Sequence, residues 1–373
     1  KINLTAYCDG TVNSFKWAND GTKVYFNAAM GGTVQLFEVN LPTKKKKTIV
    51  VTQITEGQFD MGDIVGETAT QIITTRKDMN HATEIYVVLK KDGSMKQLTH
   101  ANDEIYANVK MGKVEKRMIK TTDGKDMLSW VIYPPDFDPT KKYPTILYCQ
   151  GGPQGALSQF YSYRWNFQLM AAQGYIIIAP NRRGMPGYGV EWNEQISTDY
   201  GGQNMQDYLS AIDDISKESY VDKERLGCIG ASYGGYSAFY LAAIHEKRFK
   251  TFVAHDGIFN WKSMYGTTEE LFFVNWDLGG SYWDKENAVA QKSHTVFNPA
   301  DRVESWDSPI LIIQGGKDYR VPIGQGLEAF QAAKLQGLNS RLLYFPEENH
   351  WVLDYQNSVI WHSEFFKWLE ETL

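Results

Sequence analysis

Three residues, far apart in the chain, have the types and the order needed to break an acyl bond. Ser232 stands in Gly230-Ala231-Ser232-Tyr233-Gly234-Gly235, a Gly-x-Ser-x-Gly pattern that fits a serine on a sharp strand-to-helix turn. A serine hydroxyl is a poor nucleophile at neutral pH, so it needs a base, and the base needs a carboxylate to orient it. Downstream, Asp318 lies in Gly315-Gly316-Lys317-Asp318-Tyr319-Arg320-Val321-Pro322 and His350 in Glu347-Glu348-Asn349-His350-Trp351. The order serine, acid, histidine is the one this kind of turn uses. His255 and Asp256 end another strand and are the alternatives for base and acid; His81 and His100 read as surface residues. The tetrahedral intermediate of such chemistry needs donors for its oxyanion. The backbone N–H of Tyr233 is one, and Gln150-Gly151-Gly152-Pro153 offers the N–H of Gly152 as the other, a plain turn being the alternative.

These groups need rigid elements to hold them. Arg225 to Ile229 before the serine reads as a short buried strand, and Gly235 to Ala243 after it as a helix rich in small residues. From about residue 108 onward apolar strands alternate with helical patterns. The strands are 117–120, 127–133, 145–149, 175–179, 226–230, 251–254, 310–313 and 341–345. The helices fall near 165–173, 204–218, 235–246, 324–336 and 358–371. Uninterrupted apolar runs imply strands buried on both faces, hence a mostly parallel eight-stranded sheet with helices on both faces. That is the α/β-hydrolase arrangement, with the serine after the fifth strand and Asp318 at a strand's carboxyl end, where such sheets build their sites.

Residues 1–107 read differently, as strands and turns: 23–26, 34–39, 71–75 and 84–88, separated by signals such as Asn19-Asp20-Gly21 and Lys91-Asp92-Gly93. Faint self-similarity at a period of about 40–50 residues suggests β-propeller blades. Two would fit, so the expected domains are 1–107, the C-terminal blades of an incomplete β-propeller, and 108–373, the α/β-hydrolase domain; a small independent sandwich is the alternative for the first. The chain begins at Lys1 without a methionine, so the natural N-terminus is expected to lie upstream.

Bulk composition excludes several classes. At 373 residues, with 43% hydrophobic and 22% charged residues, two globular domains are the expectation. A net charge of −6 argues against a nucleic-acid partner. The basic run Lys44 to Lys47 reads as a solvated loop, and no apolar stretch reaches the roughly 20 residues a membrane span needs. Cys8, Cys149 and Cys228 are too few and too scattered for a disulfide framework or a zinc site. No metal or cofactor is implied.

Taken together, Gly-x-Ser-Tyr-Gly-Gly-Tyr at 230–236, Asp-x-Arg-Val-Pro at 318–322, Glu-x-x-His at 347–350 and Gly-Gly-Pro at 151–153 resemble the prolyl oligopeptidase family of serine peptidases. Arg183-Gly184-Met185-Pro186-Gly187-Tyr188-Gly189 fits a further family pattern. Within the family the segments are most similar to the acylaminoacyl-peptidase and dipeptidyl-peptidase V branch, and the resemblance covers the whole of 108–373. It implies a serine peptidase acting on short peptides through an acyl-enzyme on Ser232, with a propeller over the active site. It also implies that Arg320 binds a substrate carbonyl, and that Tyr233, Tyr236, Ile258, Trp261 and Val321 line a pocket for a small or hydrophobic side chain. The branch usually has histidine before Gly-Gly-Pro, and its dipeptidyl-peptidase IV cousins place a tyrosine hydroxyl in the oxyanion hole. Gln150 departs from both, which favours backbone donors. The implied partners are peptides and the missing part of the propeller; a homodimer is compatible. Resemblance to bacterial members favours the periplasm, with the cytoplasm as alternative. The competing functional readings are a carboxylesterase on the same fold, a pseudo-hydrolase that only binds, and an inactive fragment of a peptidase.

Overall fold

Alternating and continuous apolar runs become strands through most of the chain, which in the computed structural model is described for residues 2–6, 8, 10–44 and 47–373. Two units separate. One contains the described residues up to Met111 together with Ala156–Leu169 and Met185–Asn193; the other contains Gly112–Gly155, Met170–Gly184 and Glu194–Leu373.

The first unit is built from β1 (Val12–Trp17), β2 (Lys23–Met30), β3 (Thr33–Asn40), β4 (Val51–Gln53), β5 (Asp60–Glu67), β6 (Gln71–Asp78), β7 (His81–Leu89) and β8 (Met95–Gln97). Strands β1 to β4 pair antiparallel in sequence order, and so do β5 to β8. In strand pairing the two groups of four are linked by one parallel residue pair, Val34 with Asp60. Apolar residues account for the cores. Val24, Phe26, Ala28, Phe37 and Val39 pack within the first group, while Tyr25, Leu36, Phe59, Met61, Ile72 and Val88 join the two. The sequence pattern missed β1, β4, β5 and β8. Two are three residues long, and β5 carries Gly62, Gly66 and two aspartates among its eight residues, which breaks the period-2 signal. The expected basic loop falls in part on Lys45 and Lys46, outside the described residues; Lys44 and Lys47 are exposed.

Two segments expected with the second region belong to this unit instead, for a polar reason. Buried Asp60 accepts hydrogen bonds from Ser158 Oγ (2.6 Å), the Gln159 N–H (3.1 Å) and the Val34 N–H (2.9 Å). The Gly31 N–H donates to Gly187 O at 3.0 Å.

In the second unit the strands are β9 (Val114–Lys120), β10 (Asp126–Ile132), β11 (Tyr143–Cys149), β12 (Ile176–Pro180), β13 (Val221–Ala231), β14 (Thr251–His255), β15 (Ile310–Gly315) and β16 (Ser340–Phe345). They form one sheet in the order β9-β10-β12-β11-β13-β14-β15-β16. Pairing is antiparallel at β9–β10 and β10–β12 and parallel across the rest. Every residue of β12, β14 and β15 is buried, as expected of strands covered on both faces. Cys149 and Cys228 are fully buried on neighbouring strands with their sulfurs 3.7 Å apart, and burial pushes the Cys228 thiol well above its ordinary range. The expected helices appear at Phe167–Ala172 (in the first unit up to Leu169), Gln203–Ile215, Tyr233–Ile244, Gly324–Leu335 and Tyr355–Thr372. Between β14 and β15, Trp261–Tyr265, Leu271–Asp277 and Ala288–Thr295 were not anticipated. They are too short to display a helical period, and two begin at asparagine caps, Asn260 and Asn287. The last helix is tied to β14 by Trp368 Nε1–H, which donates to Thr251 Oγ1 at 2.8 Å.

Burial raises the Asp60 carboxyl to about 6, against the pull of its hydrogen bonds. Between roughly pH 4 and pH 6 the folded chain therefore keeps a proton that the unfolded chain has released. Its contribution to stability falls as pH rises through that window, by on the order of 2–3 kcal/mol in total. Asp60→Asn keeps the shape and removes the titration. Wild type should melt progressively below this variant as pH is raised from 4 to 7; a constant difference in melting temperature would refute the assignment.

Candidate active site

Strand β13 ends at Ala231 and the helix Tyr233–Ile244 begins two residues later, leaving Ser232 alone at the reversal with φ 60° and ψ −123°. A non-glycine residue at positive φ is strained by about 1–3 kcal/mol and persists only where its surroundings enforce it. Here the Ser232 N–H donates to His255 O, and the Tyr236 N–H donates to Ser232 O, both at 2.9 Å. The helix also starts in contact with the neighbouring strand: a Cβ on Gly234 would lie 2.0 Å from Cys149 O. Only glycine allows that approach. Ser232 is partly exposed although nearly everything around it is buried.

The loop after β11 comes to the same place. A Cβ on Gly151 would lie 3.6 Å from Ser232 Cβ, and Gly152 has φ +121° with a cis bond to Pro153. Tyr233 is the first residue of a twelve-residue helix, so its N–H belongs to the group that a helix leaves without intrahelical acceptors, at the positive end of the dipole.

The loop after β15 carries Asp318, 2% exposed, and the loop after β16 carries His350, 6% exposed. His350 Nδ1 hydrogen-bonds Asp318 Oδ2 at 2.6 Å. The other oxygen, Oδ1, accepts the N–H groups of Arg320 (3.0 Å) and Val321 (2.9 Å), so the carboxylate cannot rotate without losing three bonds. The two loops are sewn together. The Lys317 N–H donates to Glu348 O, the Gly316 N–H to Phe345 O, and a Cβ on Gly315 would lie 2.3 Å from Asn349 O. Buried Glu348, which sequence reasoning passed over, holds the histidine loop from below. Its carboxylate accepts the N–H groups of Leu353 and Asp354 and the Asn357 side chain at 2.7–3.1 Å. Its only signal was a position two residues before His350. Asp256, the alternative acid, is also here: one of its oxygens, one of Asp318's and a ring nitrogen of His350 lie within 4.8 Å of one another.

The residues expected to contact substrate divide. Arg320 lines an open cleft of about 360 Å³ with Asp318, His350, Glu269, Tyr319 and Trp351. Its Nε lies 3.0 Å from Glu270 Oε1 in an ion pair, and its guanidinium stands 4.9 Å from the centre of the Trp351 ring. Neither Glu270 nor Trp351 was singled out from sequence, although Trp351 directly follows His350. Tyr236, Ile258, Trp261 and Val321 lie outside this cleft lining and are 0–4% exposed. Tyr233, Tyr236 and Trp261 join Tyr200 in one aromatic cluster with ring centres 5.0–6.3 Å apart. The Tyr236 hydroxyl donates to Phe297 O, and the Tyr233 hydroxyl contacts Tyr200 O and Asn204 Oδ1. Burial pushes both phenols well above their ordinary range, so both stay neutral donors. Rings this large contribute most when closely packed, which accounts for their burial against one another.

The family model described as "Prolyl oligopeptidase family" matches residues 161–373. Dipeptidyl-peptidase 5 of Porphyromonas gingivalis is 49% identical over 365 residues, covering 98% of this chain and 52% of the relative. The Aspergillus fumigatus protein of the same name is 31% identical over 374 residues, covering 97% of this chain and 50% of the relative. Among solved structures, Pyrococcus horikoshii acylaminoacyl peptidase superposes with a TM-score of 0.85 at 25% identity, over 99% of this chain and 57% of that one. The chain thus spans about half the length of the curated relatives it matches.

Gly234→Ala should cost more than about 2 kcal/mol, because its methyl group meets backbone, which cannot move aside as a side chain can. Thermal melting checks this, and a variant as stable as wild type would contradict the close approach.

Proposed function

The chain belongs to the prolyl oligopeptidase family, and from that premise we propose that it is a serine peptidase that releases dipeptides from the free N-termini of short peptides. The observation that carries the reading is the 2.6 Å bond between His350 Nδ1 and Asp318 Oδ2, with the second carboxylate oxygen engaged by two backbone N–H groups. This arrangement sets the tautomer in which Nε2 is the basic nitrogen. Ser232 Oγ bonds to the substrate carbonyl carbon while its proton passes to His350 Nε2. The oxyanion accepts hydrogen bonds from the N–H groups of Tyr233 and Gly152. When the intermediate collapses, the amine leaves with the proton held on His350, and an acyl-enzyme is left on Ser232. Water repeats the sequence, giving its proton to Nε2 and releasing the acid and the serine.

Arg320 suits a substrate carbonyl, since its planar guanidinium offers several donors and lines the cleft beside the triad. Tyr236, Ile258, Trp261 and Val321 are proposed as the packed wall that a small or hydrophobic side chain meets next to the scissile bond. The dipeptidyl specificity rests on the relatives' names, at 49% and 31% identity. In architecture, the strand order of the second unit supports an α/β-hydrolase domain, and the two antiparallel groups of four strands support two β-propeller blades.

Ser232→Ala is expected to lose on the order of 10⁶-fold in kcat if the triad acts as a unit, and to lose labelling by a fluorophosphonate. Retention of most activity would sink the mechanism. Chromogenic dipeptide substrates with a free amine should be turned over at least about tenfold faster than their N-acylated forms; the reverse order would make the protein an acylaminoacyl peptidase, and hydrolysis of simple esters alone a carboxylesterase.

A further inference from the structure

Asp256 follows the last residue of β14 with φ +45°, in the left-handed region that an aspartate enters only at a cost. Its backbone N–H donates to Ile313 O at 2.9 Å, and its Oδ1 accepts the Gly315 N–H at 3.0 Å. The side chain is fully buried, and one of its oxygens lies within 4.8 Å of both an Asp318 oxygen and a His350 ring nitrogen. The residue before it completes the arrangement. His255 Nδ1 accepts the Trp361 Nε1–H at 3.3 Å, so the ring is neutral and carries its proton on Nε2, which lies 2.9 Å from Asp256 Oδ2. The backbone carbonyl of the same His255 holds the Ser232 N–H. One dipeptide thus fixes the turn that carries the serine and sets a carboxylate beside the acid and the histidine.

A buried carboxylate this close to an imidazole favours the imidazolium. The basic groups of the cleft are each engaged by another acid: Lys317 with Glu347 at 2.5 Å, and Arg320 with Glu270. Glu269 lines the cleft as a further acid, and Glu348 is occupied by its own loop. Among these groups, Asp318 and Asp256 are the buried acids that share the 4.8 Å cluster with His350.

We propose that Asp256 is a second, positioning carboxylate of the site: it stabilises the protonated His350 that forms when the histidine takes the Ser232 proton, in addition to Asp318. This rests on the peptidase reading above. Because Asp256 acts on the charge of His350 rather than on the substrate, its removal should lower kcat more than it changes KM.

Asp256→Asn is the direct test, since asparagine tolerates positive φ and can still accept the Gly315 N–H. Asp256→Gly, free at that φ, carries the same test if the asparagine variant does not fold. Three measurements are made on wild type and variants: fluorophosphonate labelling of Ser232, the pH profile of kcat/KM, and the titration of the His350 ring followed by NMR. The expected result is labelling in all, a kcat lower by about 10- to 100-fold, and a shift of the acidic limb and the His350 titration by on the order of one pH unit towards lower pH. Labelled, folded variants whose His350 titration and acidic limb stay where wild type has them would overturn the proposal and leave the peptidase reading intact. Wild type that is not labelled at Ser232 would overturn both.

Discussion

The site depends on how closely the helix Tyr233–Ile244 can approach the sheet. With glycine at 234 the first turn of the helix rests on the carbonyl of Cys149, where a Cβ would stand 2.0 Å from that oxygen. That approach forces the chain to reverse within one residue, and the residue at the reversal is Ser232, held at φ 60°. A strain of about 1–3 kcal/mol is offset by two backbone hydrogen bonds and by a helix that is buried over most of its length. The same reversal raises the serine out of the sheet, brings the N–H of Tyr233 to the start of the helix, and leaves the Gly151-Gly152 loop beside the serine.

Around that turn the polar groups are restrained by bonds that compete for the same atoms. Asp318 divides its two oxygens between backbone and histidine, and Glu348 divides its own between two backbone N–H groups and Asn357. In surroundings as buried as these, an unpaired carboxylate would be costly, so each acid is a strong constraint on the loop that surrounds it. His350 is held both by its partner across the site and by the loop it sits on. The cluster of Tyr200, Tyr233, Tyr236 and Trp261 is a buried apolar layer whose hydroxyls are engaged by Asp277, Asn204 and the carbonyls of Tyr200 and Phe297.

Legibility in the sequence followed the range of the physics. The strands of the second unit were readable because burial on both faces leaves uninterrupted apolar runs, and the Gly-x-Ser-x-Gly turn because close backbone approach demands glycine at particular offsets. The short helices between β14 and β15, the three-residue strands β4 and β8, and the glycine-broken β5 left no periodic pattern to read. Segments 156–169 and 185–193 read as part of the second region, yet they join the first unit, because the hydrogen bonds of Asp60 reach about a hundred residues along the chain. Tyr236 and Trp261, expected along the substrate pocket, are almost fully buried within an aromatic cluster, since an aromatic residue type says nothing about how much of its ring other rings cover.

By itself the sequence determined which residues had to be near one another: a serine between glycines, an acid and a histidine in that order, each after its own strand. These are demands of residue chemistry and local backbone sterics, and they are written in neighbouring positions. Only the tertiary structure decided which carboxylate oxygen meets His350, that Arg320 pairs with Glu270 against Trp351, and that Asp256 joins Asp318 beside the histidine. Those outcomes depend on distances of a few ångström between loops from different strands, and such distances are set by the order and register of the sheet rather than by any stretch of sequence.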